Sequence, residues 1–172
     1  MRLFHVSEEA DIKIFEPRVP KRNDLDKNVG LVWAINEECL PNFLLPRECP
    51  RVCYRIGKTT TKEDIDKFFN NNIVKHTVII EREWWEIIAK TKLYLYEFAV
   101  EEFELQDEIA GYYVSNTTQK PIAKYVIDDL FEALSQRNVE IKAVDELHGI
   151  ANKVKNSTLY WSLCRMRNAK VL

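Results

Sequence analysis

The sequence predicts an α+β fold: a mixed or largely antiparallel sheet with several flanking helices. Three observations carry this. The stretch 92–100, KLYLYEFAV, alternates, with Tyr94, Tyr96 and Phe98 on one side and Leu93, Leu95, Glu97 and Ala99 on the other. That period of two is the mark of a strand. The stretch 126–138, VIDDLFEALSQRN, places Ile127, Leu130, Phe131 and Leu134 at i, i+3, i+4 and i+7, one face of a helix. Strand patterns also cluster between single helices, so strict βαβ alternation does not fit.

The elements follow in order. RLFHV (2–6) reads as a strand, with Leu3 and His5 on one face and Phe4 and Val6 on the other. Residues 7–29 are polar and contain proline, and 20–28, PKRNDLDKN, is the most exposed-looking piece. LVWA (31–34) is a second strand. Asn36 is placed to cap a short helix whose first turn carries Glu37 and Glu38. Pro41 and Pro46 keep that helix short. RVCYRI (51–56) alternates, with Val52, Tyr54 and Ile56 opposite Arg51, Cys53 and Arg55. TKEDIDKFFNN (61–71) is a helix capped by Thr60 or Thr61. HTVII (76–80) is a strand and EREWWEIIAK (81–90) a helix. AGYYVS (110–115) is a strand. KPIAKYV (120–126) begins as a strand and runs into the helix 126–138. VEIKAV (139–144) is a strand, and DELHGIANKV (145–154) a helix. STLYWSLCRMRNA (157–169) is predicted as a helix capped by Ser157, with Leu159, Leu163 and Met166 on one face.

Composition bounds the function. The 172 residues suit one domain, 1–172, with a real core. A net charge of -2 gives no pull toward nucleic acid or anionic lipid. No apolar run approaches the roughly 18 residues of a membrane span. The opening MRLFHVSEEAD lacks the apolar core of a signal peptide, so a cytoplasmic protein is expected. Cys39, Cys49, Cys53 and Cys164 are then thiols, read as small hydrophobes. Cys49 and Cys53 have no second Cys/His cluster beside them, so no metal is expected. Gly30, Gly57, Gly111 and Gly149 lie far apart, which excludes glycine-rich phosphate loops. Any bound nucleotide must be held by side chains.

Several residues could do so. His5 could hold ribose hydroxyls or move protons; a plain bond to a neighbouring carbonyl is the alternative. Arg18, Arg47, Arg51 and Arg55 form a basic set. Arg51 and Arg55 share a strand face and could grip a phosphate or carboxylate. The alternative is a solvated face paired with acids such as Glu48 and Asp64. Trp33, Tyr54 and Tyr112 could stack on a flat ligand, or pack between layers. Glu97 stands out on an apolar strand face, and the exposed end of the strand is its expected place. RMRNAK (165–170) suits a helix C-terminus.

Two resemblances add to this. RLFHVSEE…IFEPR, LVWAINEECLPNFLLPRECPRV, AGYYVS and STLYWSLCRMRNA together resemble a family of uncharacterised bacterial proteins, over nearly the whole chain. More distantly, a first-strand aromatic-His-small-Ser pattern, a Pro-Arg and GLVWA (30–34) resemble the ADP-ribosyltransferase-like fold. That likeness implies NAD as cofactor, His5 on its ribose, an aromatic on nicotinamide and a later-strand glutamate as director of transfer. Val32 stands where the aromatic is expected, with Trp33 following. Tyr112 stands where the acid is expected, with Glu108 nearby. The combined expectation is a cleft near His5 for a nucleotide-like or small anionic ligand, lined by His5, Arg18, Trp33, Arg51, Tyr54, Arg55 and Tyr112. Its catalytic residues stay unassigned, and a non-catalytic interaction module on the same fold is the competing reading.

Overall fold

The structure, a computed structural model, describes residues 1–21, 23–70 and 73–171. The expected exposed stretch 20–28 and the expected helix 61–71 each include a residue, Arg22 and Asn71, outside the described ones. The architecture is α+β and mostly antiparallel, with several helices. The chain divides into two compact units, Met1–Leu40 with Leu93–Ile127, and Pro41–Lys92 with Asp128–Leu172.

The first unit is an antiparallel sheet of six strands. They are β1 (Leu3–Ser7), β2 (Val32–Asn36), β5 (Leu93–Phe98), β6 (Glu104–Asp107), β7 (Tyr112–Ser115) and β8 (Ala123–Ile127). Their order is β6-β7-β2-β1-β5-β8. Register places Phe4 beside Ile35 and Glu97, and His5 beside Tyr96. Alternation then sorts the side chains. Leu3, Val32, Ala34, Tyr96 and Phe98 form one buried face, on which Phe15 and Phe103 pack. Residues 8–16 cross this face as a strap. The Tyr96 hydroxyl donates to the Glu9 carbonyl at 2.6 Å and accepts the Ile12 N–H at 3.1 Å. Phe15 exchanges main-chain bonds with Gln119 at 2.8 and 2.9 Å.

The second unit has a four-stranded sheet, β10-β3-β4-β9. Its strands are β3 (Arg51–Arg55), β4 (His76–Glu81), β9 (Val139–Val144) and β10 (Tyr160–Cys164). Only the β4–β9 pair is parallel. The helices are α1 (Lys62–Phe69), α2 (Trp85–Lys90), α3 (Leu130–Ser135) and α4 (His148–Lys155). Val52, Tyr54, Phe69, Ile79, Leu147, Ala151, Val154 and Leu159 form the core. Thr61 caps α1, its hydroxyl accepting the Asp64 N–H.

Four sequence expectations change. Residues 157–169 are not a helix. Tyr160–Cys164 pair with β3 along their whole length, and Met166–Asn168 form a single 3-10 turn. The aromatic, alternating YWSLC suits a pleated edge, and that pairing overrides the helical spacing of Leu159, Leu163 and Met166. Ile127 ends β8 instead of sitting in a helix; Asp129 caps α3, accepting the Glu132 N–H at 2.9 Å. Asn36 ends β2 and caps a turn, its Oδ1 accepting the Cys39 N–H at 2.9 Å. Glu81 closes β4, and a 3-10 turn, Arg82–Trp84, leads into α2. Strand β6 had no forecast: ELQD is exposed and lacks an apolar alternation.

Candidate functional site

His5 sits partly buried on β1, on the strand face of Leu3. Its Nδ1 lies 3.2 Å from the Trp33 carbonyl oxygen. A carbonyl only accepts, so Nδ1 carries the proton and donates. The ring also packs against Phe15, with centroids 4.8 Å apart and planes tilted by 56°. Phe15 in turn meets Tyr96 and Phe98 edge-on, at 5.3 and 5.0 Å. The imidazole is therefore fixed in tautomer by a main-chain bond and in orientation by an aromatic wall. Arg18 is exposed at the end of the strap, and its main chain pairs with Leu31 at 3.1 and 2.9 Å, one residue before β2.

Trp33 and Tyr112 come together with each other, not with the His5 ring. Trp33 shares the face of Ile35 and Phe4, opposite His5. Tyr112, paired to Ile35, meets Trp33 edge-on with centroids 5.4 Å apart. Both are partly buried.

Glu97 lies on that same second face, beside Phe4. It is not at an exposed strand end: its side chain is only 13 % exposed. Arg2 Nε and Nη2 donate to its two carboxylate oxygens at 2.8 and 2.9 Å. The Tyr125 hydroxyl donates to Oε2 at 2.8 Å and accepts from Arg2 Nη2 at 3.1 Å. The Arg2 guanidinium lies 4.8 Å from the Phe4 ring centroid and 5.5 Å from that of Tyr125. These bonds, first of all the one from Arg2, hold the Glu97 carboxyl below the usual carboxylate range.

The remaining expected residues belong to the second unit. Arg51 and Arg55 do share a face of β3, but that face is not solvated: both residues are buried. Arg51 donates to the main-chain carbonyls of Asn42 at 3.1 Å and Cys49 at 2.8 Å, and so ties down the loop before β3. The Arg55 guanidinium lies 5.0 Å from the Tyr160 ring centroid. Gly57 is close to that same ring: a Cβ there would lie 2.3 Å from it. His76, beside Arg55, donates Nε2–H to Asn42 Oδ1 at 2.7 Å. Burial, and then the Arg55 charge, pushes the His76 ring down to about 4, so it is neutral. Tyr54 packs edge-on to Phe68 and Phe69 in the core, each at 5.5 Å, and burial raises its phenol.

Phe15, Arg2 and the Asn42–His76 pair were missed by sequence reading. Phe15 had a usable signal, since IFEPR puts an aromatic just before the Pro-Arg. Arg2 had none, because its partner lies across a strand pairing. Among the described residues, no group of three or more His, Cys, Asp or Glu side chains is placed to hold a metal ion. No helix among them is long and apolar enough to cross a membrane. Cys39, Cys49 and Cys53 are buried thiols outside any disulfide, and Cys164, likewise a thiol, is partly exposed.

Fold and site define a two-unit α+β protein whose first sheet carries a clamped strand histidine. The chain belongs to a family of unknown function, DUF6886, whose model matches residues 4–169. No curated protein and no solved structure matches it.

Proposed function

We propose that the first unit binds a nucleotide-like or other small anionic ligand at His5, as a relative of the ADP-ribosyltransferase-like fold. The observation that carries this reading is the double restraint on the imidazole, by the Trp33 carbonyl and the Phe15 ring. A histidine with one tautomer and one orientation suits a sugar hydroxyl, because its hydrogen bonding is set before the ligand arrives. Arg18, exposed beside the start of β2, supplies a guanidinium for phosphate or carboxylate. NAD is the ligand to try first, and transfer from NAD is the reaction to assay. The four cysteines, none of them in a disulfide, suit a reducing compartment such as the cytoplasm.

Binding without transfer is the second reading. It is favoured by the fate of the acids. Tyr112 occupies the expected acid position, and Glu97 lies on the face opposite His5 with both oxygens engaged by Arg2. Calorimetric titration with NAD and ADP-ribose tests both. Saturable binding that His5→Ala weakens at least about tenfold supports the site. No heat up to millimolar ligand sinks it. Binding without turnover of NAD selects the second reading.

A further inference from the structure

We propose that residues 165–171 form a detachable strap on the second unit, hinged at Arg165 and latched on the Glu81 carboxylate. Arg165 joins β10 to this segment in the left-handed region, with φ of 54°. That conformation is unfavourable for a side chain with a Cβ and persists only where surrounding contacts hold it. The latch is Glu81, fully buried at the end of β4. Its Oε1 accepts the Lys170 N–H at 2.9 Å, while Oε2 has no hydrogen-bond partner among the described residues. A buried carboxylate satisfied on one oxygen is poorly compensated for the water it has lost. Lifting the strap returns water to it, so closure works against itself at the point that holds it.

Other attachments hold the strap as well: Arg165 Nε donates to the Arg47 carbonyl at 3.1 Å, Asn168 Nδ2 donates to the Glu48 carbonyl at 2.7 Å, and Met166 packs against the core. Arg165, Arg167 and Asn168 converge on Glu48, and the Lys170 ammonium pairs with Glu83 at 3.2 Å. Both glutamates are about half exposed, where ion pairs add little. His148 Nε2 donates to the Lys170 carbonyl at 2.9 Å. Ala169 is the strap's buried apolar anchor, packed in the cluster of Leu147, Ala151 and Val154. An open surface groove is lined by His148 and by Met166, Arg167, Ala169 and Val171, the last four on the strap. The groove therefore exists while the strap is down. Lifting dismantles it and opens the Glu81 carboxylate and the apolar floor under Ala169.

Native-state hydrogen exchange on the full chain tests this. The Ala169 and Lys170 amides are expected to exchange at least about a hundredfold faster than those of Val78 and Ile80 in β4, through an opening that leaves β4 protected. Glu81→Gln keeps an acceptor and removes the charge. It is expected to slow strap exchange about tenfold without changing β4. Exchange of Lys170 together with β4, or strap exchange that Glu81→Gln leaves unchanged or speeds, overturns the proposal. If Glu81→Gln does not fold, the surface variant Glu48→Gln decides. Several-fold faster exchange confined to the strap supports the hinge, and no such confined change overturns it.

Discussion

Arg2 closes both carboxylate oxygens of Glu97 across the β1–β5 pairing, at 2.8 and 2.9 Å. The pair joins the second residue of the chain to a strand ninety-five positions later. Charge-assisted bonds of this bidentate kind are the stronger ones, but Arg2 is 44 % exposed and water screens it. Glu97→Ala should therefore cost about 1 kcal/mol, read by urea unfolding. The sign with pH follows from the depressed carboxyl. Its contribution is present above the unfolded pKa near 4.5 and is lost as pH falls through the lower folded value. Glu97→Gln should flatten that acid slope.

His76 gives the other pH dependence. Its folded pKa of about 4 lies below the unfolded 6.5, so the unfolded chain binds more protons between those values. Stability is then expected to fall as pH drops from about 6.5 to about 4, by up to about 3 kcal/mol. His76→Gln, which keeps a donor for Asn42, should remove most of that slope. Urea midpoints measured across pH 4–7 check it, and an unchanged slope would refute the assignment.

Gly57 is required by a close approach. A Cβ would lie 2.3 Å from the Tyr160 ring, which also carries the Arg55 guanidinium. Gly57→Ala should destabilise by about 1–3 kcal/mol through overpacking. In a Tyr160→Ala background the same change should cost far less. Equal costs in the two backgrounds would place the strain elsewhere.

Much of the fold was legible because period-two alternation survives in single strands. Leu93–Phe98 and Val139–Val144 are strands where the pattern put them, and of the two threonines read as caps, Thr60 and Thr61, it is Thr61 that caps α1. Tyr160–Cys164 misled because an edge strand five residues long also satisfies a helical spacing; only the pairing with β3 decides it. The geometry around the candidate site was half legible. His5 and its strand face could be read directly. That Trp33 faces away from it could not, since which faces of β1 and β2 coincide depends on register: Phe4 pairs with Ile35. Arg51 and Arg55 were readable as a pair, but their burial depends on tertiary packing.

Trp33 and Tyr112 bear on the second face of the first sheet, not on the His5 face. Trp33→Phe should leave ligand affinity at His5 within about threefold, whereas Arg18→Ala should weaken an anionic ligand about tenfold. Calorimetry on the two variants separates these outcomes, and a reversed order would move the site to the Trp33 face.

The most direct measurement is on His5 itself: its imidazole nitrogen and Cε1–H resonances, followed by NMR during titration with ADP-ribose. A ring protonated at Nδ1 is expected, whose Nε2 signal shifts saturably as ligand binds and does so at higher ligand in Arg18→Ala. A His5 ring whose resonances stay fixed up to millimolar ligand would contradict it.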